Sequence, residues 1–198
     1  MADFDAEELF HLGLKASEGG DKERSIMYFK RAIELEPAPA SYYLLGAEYA
    51  EIGMMPRAAE CIQTALDGDP ELWTAWFQLG LIYLALQETE KAQASFQALE
   101  VLGDESYLFH FALGMLLLIN EEVTESLESL TYGIQINHDN PALNRDVRNI
   151  IDSINENISE LTPQREQDLD GDPEVRAPDS RGEKESREHL LAAKYRSE

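Results

Sequence analysis

Cysteine occurs once in 198 residues, at Cys61, so no disulfide can close within the chain. Cations are scarce as well: 16 lysines and arginines stand against 39 aspartates and glutamates, a net charge of −23. A surface that anionic repels phosphate backbones and anionic lipid, which argues against nucleic-acid and membrane partners and favours neutral or basic ones. Long apolar runs are missing. The longest, Phe111 to Ile119, is far short of the roughly 20 residues that span a bilayer. The opening stretch Met1-Ala-Asp-Phe-Asp-Ala-Glu-Glu has neither the positive nor the apolar region of a secretory signal, so a cytoplasmic protein is expected.

Catalytic signatures are lacking too. There is no P-loop, no Gly-rich dinucleotide turn and no nucleophile elbow. His11, His110, His138 and His189 show no metal-ligand spacing. Asp168-Leu-Asp-Gly-Asp-Pro-Glu174 has an outline of a calcium loop, but Pro173 stands where glycine is needed and Asp179 where a bidentate glutamate is needed. The expectation is a protein without cofactor or metal that is not an enzyme. His110 reads as a packed, hydrogen-bonded histidine, and Cys61 beside Ile62 as a buried structural thiol.

What the chain does have is a period. Glycine recurs at Gly13, Gly46, Gly80 and Gly114, 33 or 34 residues apart, always preceded by leucine (Leu12, Leu45, Leu79, Leu113). Four residues before it stand Leu9, Tyr42, Trp76 and His110, and three after it Ala16, Tyr49, Tyr83 and Leu117. Twelve after is small (Ser25, Ala58, Ala92, Ser126), and sixteen after is apolar (Phe29, Ile62, Phe96, Leu130). Such a period marks stacked pairs of helices. Glycine in the first helix lets its partner approach closely, and the small residue at +12 serves the same purpose in the second. Breaks at Gly19-Gly20, Gly53, Pro37-Ala-Pro39 and Asp69-Pro70 separate helices expected at 5–18, 21–35, 40–52, 55–67, 73–86, 89–101, 107–119 and 122–136.

A ninth helix is announced by Asp139-Asn-Pro141, a capping residue just before a first-turn proline. Leu143, Val147, Ile150, Ile151, Ile154, Ile158 and Leu161 line one face of it, and Asn144, Arg145, Arg148, Asn149 and Asp152 fall on the polar face. An end helix at 141–161 would cap the last repeat, whose core face is otherwise exposed. Residues 162–198 change composition to that of a disordered tail, with 10 acidic and 7 basic side chains. Within it, 183–196 holds helix formers and the cluster Leu190-Leu-Ala-Ala193 with Tyr195, which reads as inert, as a docking motif or as a plug for a groove.

These residues resemble the tetratricopeptide repeat family over about 1–140, in repeats of about 6–38, 39–72, 73–106 and 107–140. Trp76, Leu79, Gly80, Tyr83, Ala92 and Phe96 of the third repeat agree with the family pattern; the second adds Ala65 and Pro70. The first has Ala16 where tyrosine is usual. The fourth has His110, Leu117, Gly133 and His138 in place of the usual aromatic, tyrosine, alanine and proline. The resemblance implies an all-α, right-handed α-solenoid of four repeats with a C-terminal capping helix, whose first helices line a concave groove for peptide segments of other proteins.

A second stripe runs along each first helix. Three residues before the glycine stand Phe10, Tyr43, Phe77 and Phe111, one after it Leu14, Ala47, Leu81 and Met115, and at +4 in the last two repeats Leu84 and Leu118. A helix such as 73–86 is therefore apolar over most of its circumference and requires burial on two sides. Two readings stand. The stripe either packs neighbouring first helices together, or it forms an apolar groove that captures a peptide segment with neutral or basic flanks. No lysine or arginine sits in it, unlike relatives that clamp acidic chaperone tails. The pattern is similar to that of acidic tetratricopeptide chaperones of secreted hydrophobic translocator proteins. A scaffold or adaptor is expected first, a dedicated chaperone second, and a subunit that fills its groove with a second copy of itself third.

Overall fold

The computed structural model describes the backbone of residues 4–168 and the side chains of 4–158. All regular structure among these residues is helical: α1 (Ala6–Glu18), α2 (Lys22–Leu35), α3 (Pro39–Glu51), α4 (Met55–Gly68), α5 (Trp73–Ala85), α6 (Thr89–Gln97), a 3-10 segment (Ala98–Leu102), α7 (Tyr107–Ile119), α8 (Val123–Ile136) and α9 (Pro141–Asp168). The chain divides into two compact units, Met1–Leu99 and Glu100–Glu198. In the first, each of α1 to α5 packs on the helix that follows it; in the second, α7 packs on α8 and α8 on α9.

Helix starts follow the local sequence. Asp5 and Glu8 close a reciprocal capping box, the Glu8 amide donating to Asp5 Oδ1 at 2.8 Å and the Asp5 amide to Glu8 Oε2 at 3.1 Å. Asp21 caps α2 through the Arg24 amide. Pro39 opens α3 and Pro141 opens α9, at positions whose N–H would have no intrahelical partner.

The repeat frame is the core. Phe29, Ile62, Phe96 and Leu130 are all fully buried, each against the glycine sixteen residues before it. A Cβ on Gly13 would lie 2.6 Å from the Phe29 ring, on Gly46 2.6 Å from Ile62, and on Gly114 2.6 Å from Leu130, so nothing larger than glycine fits without displacement. The small residues at +12 are likewise fully buried. Ser126 Oγ donates to the Gly114 carbonyl at 2.7 Å, which satisfies its hydroxyl inside the helix pair.

Three features differ from the sequence reading. The sixth helix stops at Gln97 and tightens into the 3-10 segment. There Leu99, fully buried, takes the place that Ala32 and Ala65 hold in the first two repeats. The ninth helix runs to Asp168, seven residues past its expected end, because Gln164, Arg165, Glu166 and Gln167 are good helix formers despite the change of composition at 162. Asn144, expected on the polar face of α9, is buried: its Nδ2 donates to the Asn137 carbonyl at 3.0 Å, and Asn137 Nδ2 donates to Asn144 Oδ1 at 2.8 Å, clasping the α8–α9 joint. The remaining tail, with the calcium-like stretch beyond Asp168 and the cluster at 190–195, lies outside the described residues.

Candidate functional site

The ten stripe residues divide by exposure. Phe10 and Leu14 on α1, Tyr43 and Ala47 on α3, and Leu118 on α7 are half-buried. Phe77, Leu81 and Leu84 on α5, and Phe111 and Met115 on α7, are buried, with Phe77, Phe111 and Met115 at 0% exposure. A ring at zero exposure cannot meet a partner without the helix moving, so the stripe is not one uniform exposed strip.

The geometry explains the division. In the first and third repeats the stripe aromatic turns toward the second helix of its own repeat: Phe10 lies 6.0 Å from Phe29 and Phe77 lies 5.7 Å from Phe96, ring centre to ring centre. Phe111 is edge-on to Tyr107 at 5.7 Å and fills the space at Gly133, where a Cβ would come within 2.6 Å of its ring. Gly133, where the sequence reading expects alanine, is thus the complement of Phe111. The stripe is thus buried on α5 and, apart from Leu118, on α7, and half-buried on α1 and α3.

Sequence reasoning missed a second repeating contact. The guanidinium of Arg57 stands 5.9 Å from the Tyr49 ring centre and Lys91 Nζ 5.2 Å from that of Tyr83. Both pair the residue at +3 from the repeat glycine with the one at +11. The first repeat has Ala16 at +3, and its Arg24 pairs with Asp21 at 3.5 Å instead. The fourth has Leu117 and Glu125, so ring and cation are lost together. The signal was available as a cation at +11 in three repeats.

Other chemistry is sparse. His110 Nε2 lies 2.7 Å from the Asp104 carbonyl, so it is packed and hydrogen-bonded as expected. Cys61 is half-buried rather than buried; burial and, secondarily, the Glu60 carboxylate push its thiol above the ordinary cysteine range, against the smaller opposing pull of Lys30 and Arg57. Among the described residues no cluster of histidine, cysteine and carboxylates could hold a metal, and no helix is long and apolar enough to cross a membrane.

Tetratricopeptide repeat family models match residues 9–39, 48–104 and 77–141, together more than half of the chain. A comparison with curated protein sequences returns no match. Solved structures with a similar fold include a tetratricopeptide repeat protein from Parabacteroides merdae (17% identity, 96% of this chain and 70% of that one, TM-score 0.61). MamA from Desulfovibrio magneticus is also similar (22% identity, 70% of this chain and 78% of that one, TM-score 0.57), as is a further MamA structure (20% identity, 66% and 77%, TM-score 0.57). At these identities the likeness is one of fold. The glycine frame, the helix pairs and the family matches agree: the chain belongs to the tetratricopeptide repeat family.

Proposed function

We propose that the protein is a non-catalytic interaction scaffold that holds a segment of a partner protein against the open stripe of its first helices. The observation that carries this reading is the contrast within the stripe: Phe10, Leu14, Tyr43 and Ala47 keep solvent-accessible apolar surface, while their counterparts Phe77, Leu81, Phe111 and Met115 are buried. Open apolar surface repeated in register on α1 and α3 suits a segment that presents alternate side chains. The absence of lysine and arginine from the stripe, within a strongly anionic chain, favours apolar segments with neutral or basic flanks. Phe77 and Phe111 act in support, by fixing the helix pairs that carry the open residues.

Selection from a displayed random-peptide library tests this. The expected ligands carry alternating apolar residues with lysine or arginine at the flanks, and they lose affinity for Phe10→Ala/Tyr43→Ala while that variant keeps its helical content. Acidic ligands, or ligands that bind the double variant equally well, would overturn the reading.

A further inference from the structure

The second unit carries an anionic apolar face on α8 that the proposed function does not use. Ser126, Leu130 and Gly133 are the buried positions of α8, and the first of these bonds α7 through the Gly114 carbonyl. Away from them, Leu127, Glu128, Thr131, Tyr132 and Gln135 line a shallow depression, with Tyr132 47% exposed. Glu125 and Glu128 are exposed at its edge, and no ion pair engages either among the described residues. The sequence around it is one-sided: from Ala92 to Asn144 there are eight carboxylates and neither lysine nor arginine. Elsewhere in the repeats a cation stands at the position of Glu125, namely Arg24, Arg57 and Lys91. The fourth repeat alone reverses that charge, beside its exposed tyrosine.

The same chain supplies a segment of matching chemistry. Between His189 and Ser197 there is no carboxylate, and Lys194 and Arg196 flank Leu190, Leu191 and Tyr195. About 21 residues separate Asp168 from Leu190, a reach of up to about 70 Å, well beyond the roughly 42 Å length of α9. Any point on α8 is therefore within the tether, and a tether of that length gives an effective concentration that can approach the millimolar range.

We infer that the C-terminal segment 189–197 docks on the outer face of α8, with Leu190, Leu191 and Tyr195 against Leu127 and Tyr132 and with Lys194 and Arg196 against Glu125 and Glu128. The juxtaposition is specific in sign. Much of the anionic surface would accept a cation, but this face sets the carboxylates of Glu125 and Glu128, which no ion pair engages among the described residues, beside the exposed Tyr132 ring.

Zero-length carbodiimide cross-linking of the full chain, read by peptide mass mapping on a mixture of light and isotope-labelled protein, tests the assignment. The expected product joins Lys194 to Glu125 or Glu128 within one chain. Its yield should fall by roughly tenfold in 1 M salt, where the screening length is about 3 Å. It should fall similarly in Leu190→Ser/Leu191→Ser, a change outside the repeats that leaves their packing intact. Lys184, which lies between Glu183 and Glu185, is the internal control and should show no preference for α8. Mixed-isotope products alone would assign the face to a second copy and overturn the proposal. So would Lys194 links spread over exposed carboxylates of every helix, a yield indifferent to the leucine substitutions, or no link to α8 at all.

Discussion

Trp76 and His110 make the same hydrogen bond in successive repeats: Trp76 Nε1 donates to the Pro70 carbonyl at 3.0 Å, and His110 Nε2 reaches the Asp104 carbonyl at 2.7 Å, each six residues upstream. In the third and fourth repeats the residue four before the repeat glycine therefore carries a nitrogen that ties down the connection entering its own helix. A carbonyl can only accept, so His110 must carry a hydrogen on Nε2.

Replacing His110 with phenylalanine should keep the ring contacts to Phe109 and Tyr132 and lose the tie to Asp104. The expected cost is about 0.5–1.5 kcal/mol in denaturant unfolding, the usual net worth of one hydrogen bond whose exposed acceptor can turn to water instead. Tryptophan, the residue of the preceding repeat, should recover part of it. Nitrogen chemical shifts of the ring should report the Nε2–H form; an Nδ1–H form would contradict the assigned bond.

The turn after each first helix shows what substitution at one position costs. Seven residues after the repeat glycine the backbone is left-handed in all four repeats: Gly20 (φ 76°), Gly53 (φ 75°), Gln87 (φ 63°) and Glu121 (φ 75°). An L-residue there is strained by about 1–2 kcal/mol, and glycine loses roughly 0.5–1 kcal/mol more chain entropy on folding. The difference favours glycine. Gln87→Gly should stabilise the protein by about 0.5–1 kcal/mol and raise its Tm by about 1–3 °C, whereas Gln87→Ala should not. A fall in Tm for the glycine variant would mean that the glutamine side chain stabilises the turn more than its backbone strains it.

That turn also marks the limit of what was legible in sequence. Gly20 and Gly53 announce their breaks; Gln87 and Glu121 adopt the same conformation without the residue that advertises it, because helix packing on both sides fixes the turn. The frame itself was legible, since a glycine facing a large residue sixteen positions on is a steric requirement that sequence must state. The α9 extension was not, because a composition shift at 162 reports hydrophobicity rather than helix propensity. Nor was the exposure of the stripe. Phe10 and Phe77 occupy the same register and both approach the second helix of their repeat, yet one is half-buried and the other has no exposed surface. Exposure depends on what covers the far side of the ring, and a repeat pattern gives each copy the same description.

Lys22 on α2 lies 3.3 Å from Glu48 on α3, and the Glu48 side chain is only 5% exposed. This pair joins the first repeat to the second. Removing the cation leaves a buried carboxylate without compensation, so Lys22→Ala should cost about 1–3 kcal/mol. Glu48→Gln alone should cost less, and the double variant should be more stable than Lys22→Ala. Equal stability of Lys22→Ala and the double variant would show that the carboxylate finds its compensation elsewhere.

The raised thiol of Cys61 sets both a reactivity and a pH dependence. Burial favours the neutral thiol, so the native state holds this proton to higher pH than the unfolded chain does. The resulting contribution to stability is present below the pKa of the unfolded chain's thiol and is lost as pH rises through the higher native value. Alkylation of the native protein should therefore be slow at neutral pH and should accelerate only above the range of a free thiol. Lys30→Gln and Arg57→Gln remove the two cations that oppose the shift, so each should retard alkylation further; Glu60→Gln should speed it. Cys61→Ser should flatten the alkaline fall in stability relative to the parent chain. Rapid alkylation at pH 7, unaffected by these charges, would show that the thiol is more open to water than its half-buried position beside Gly46 allows.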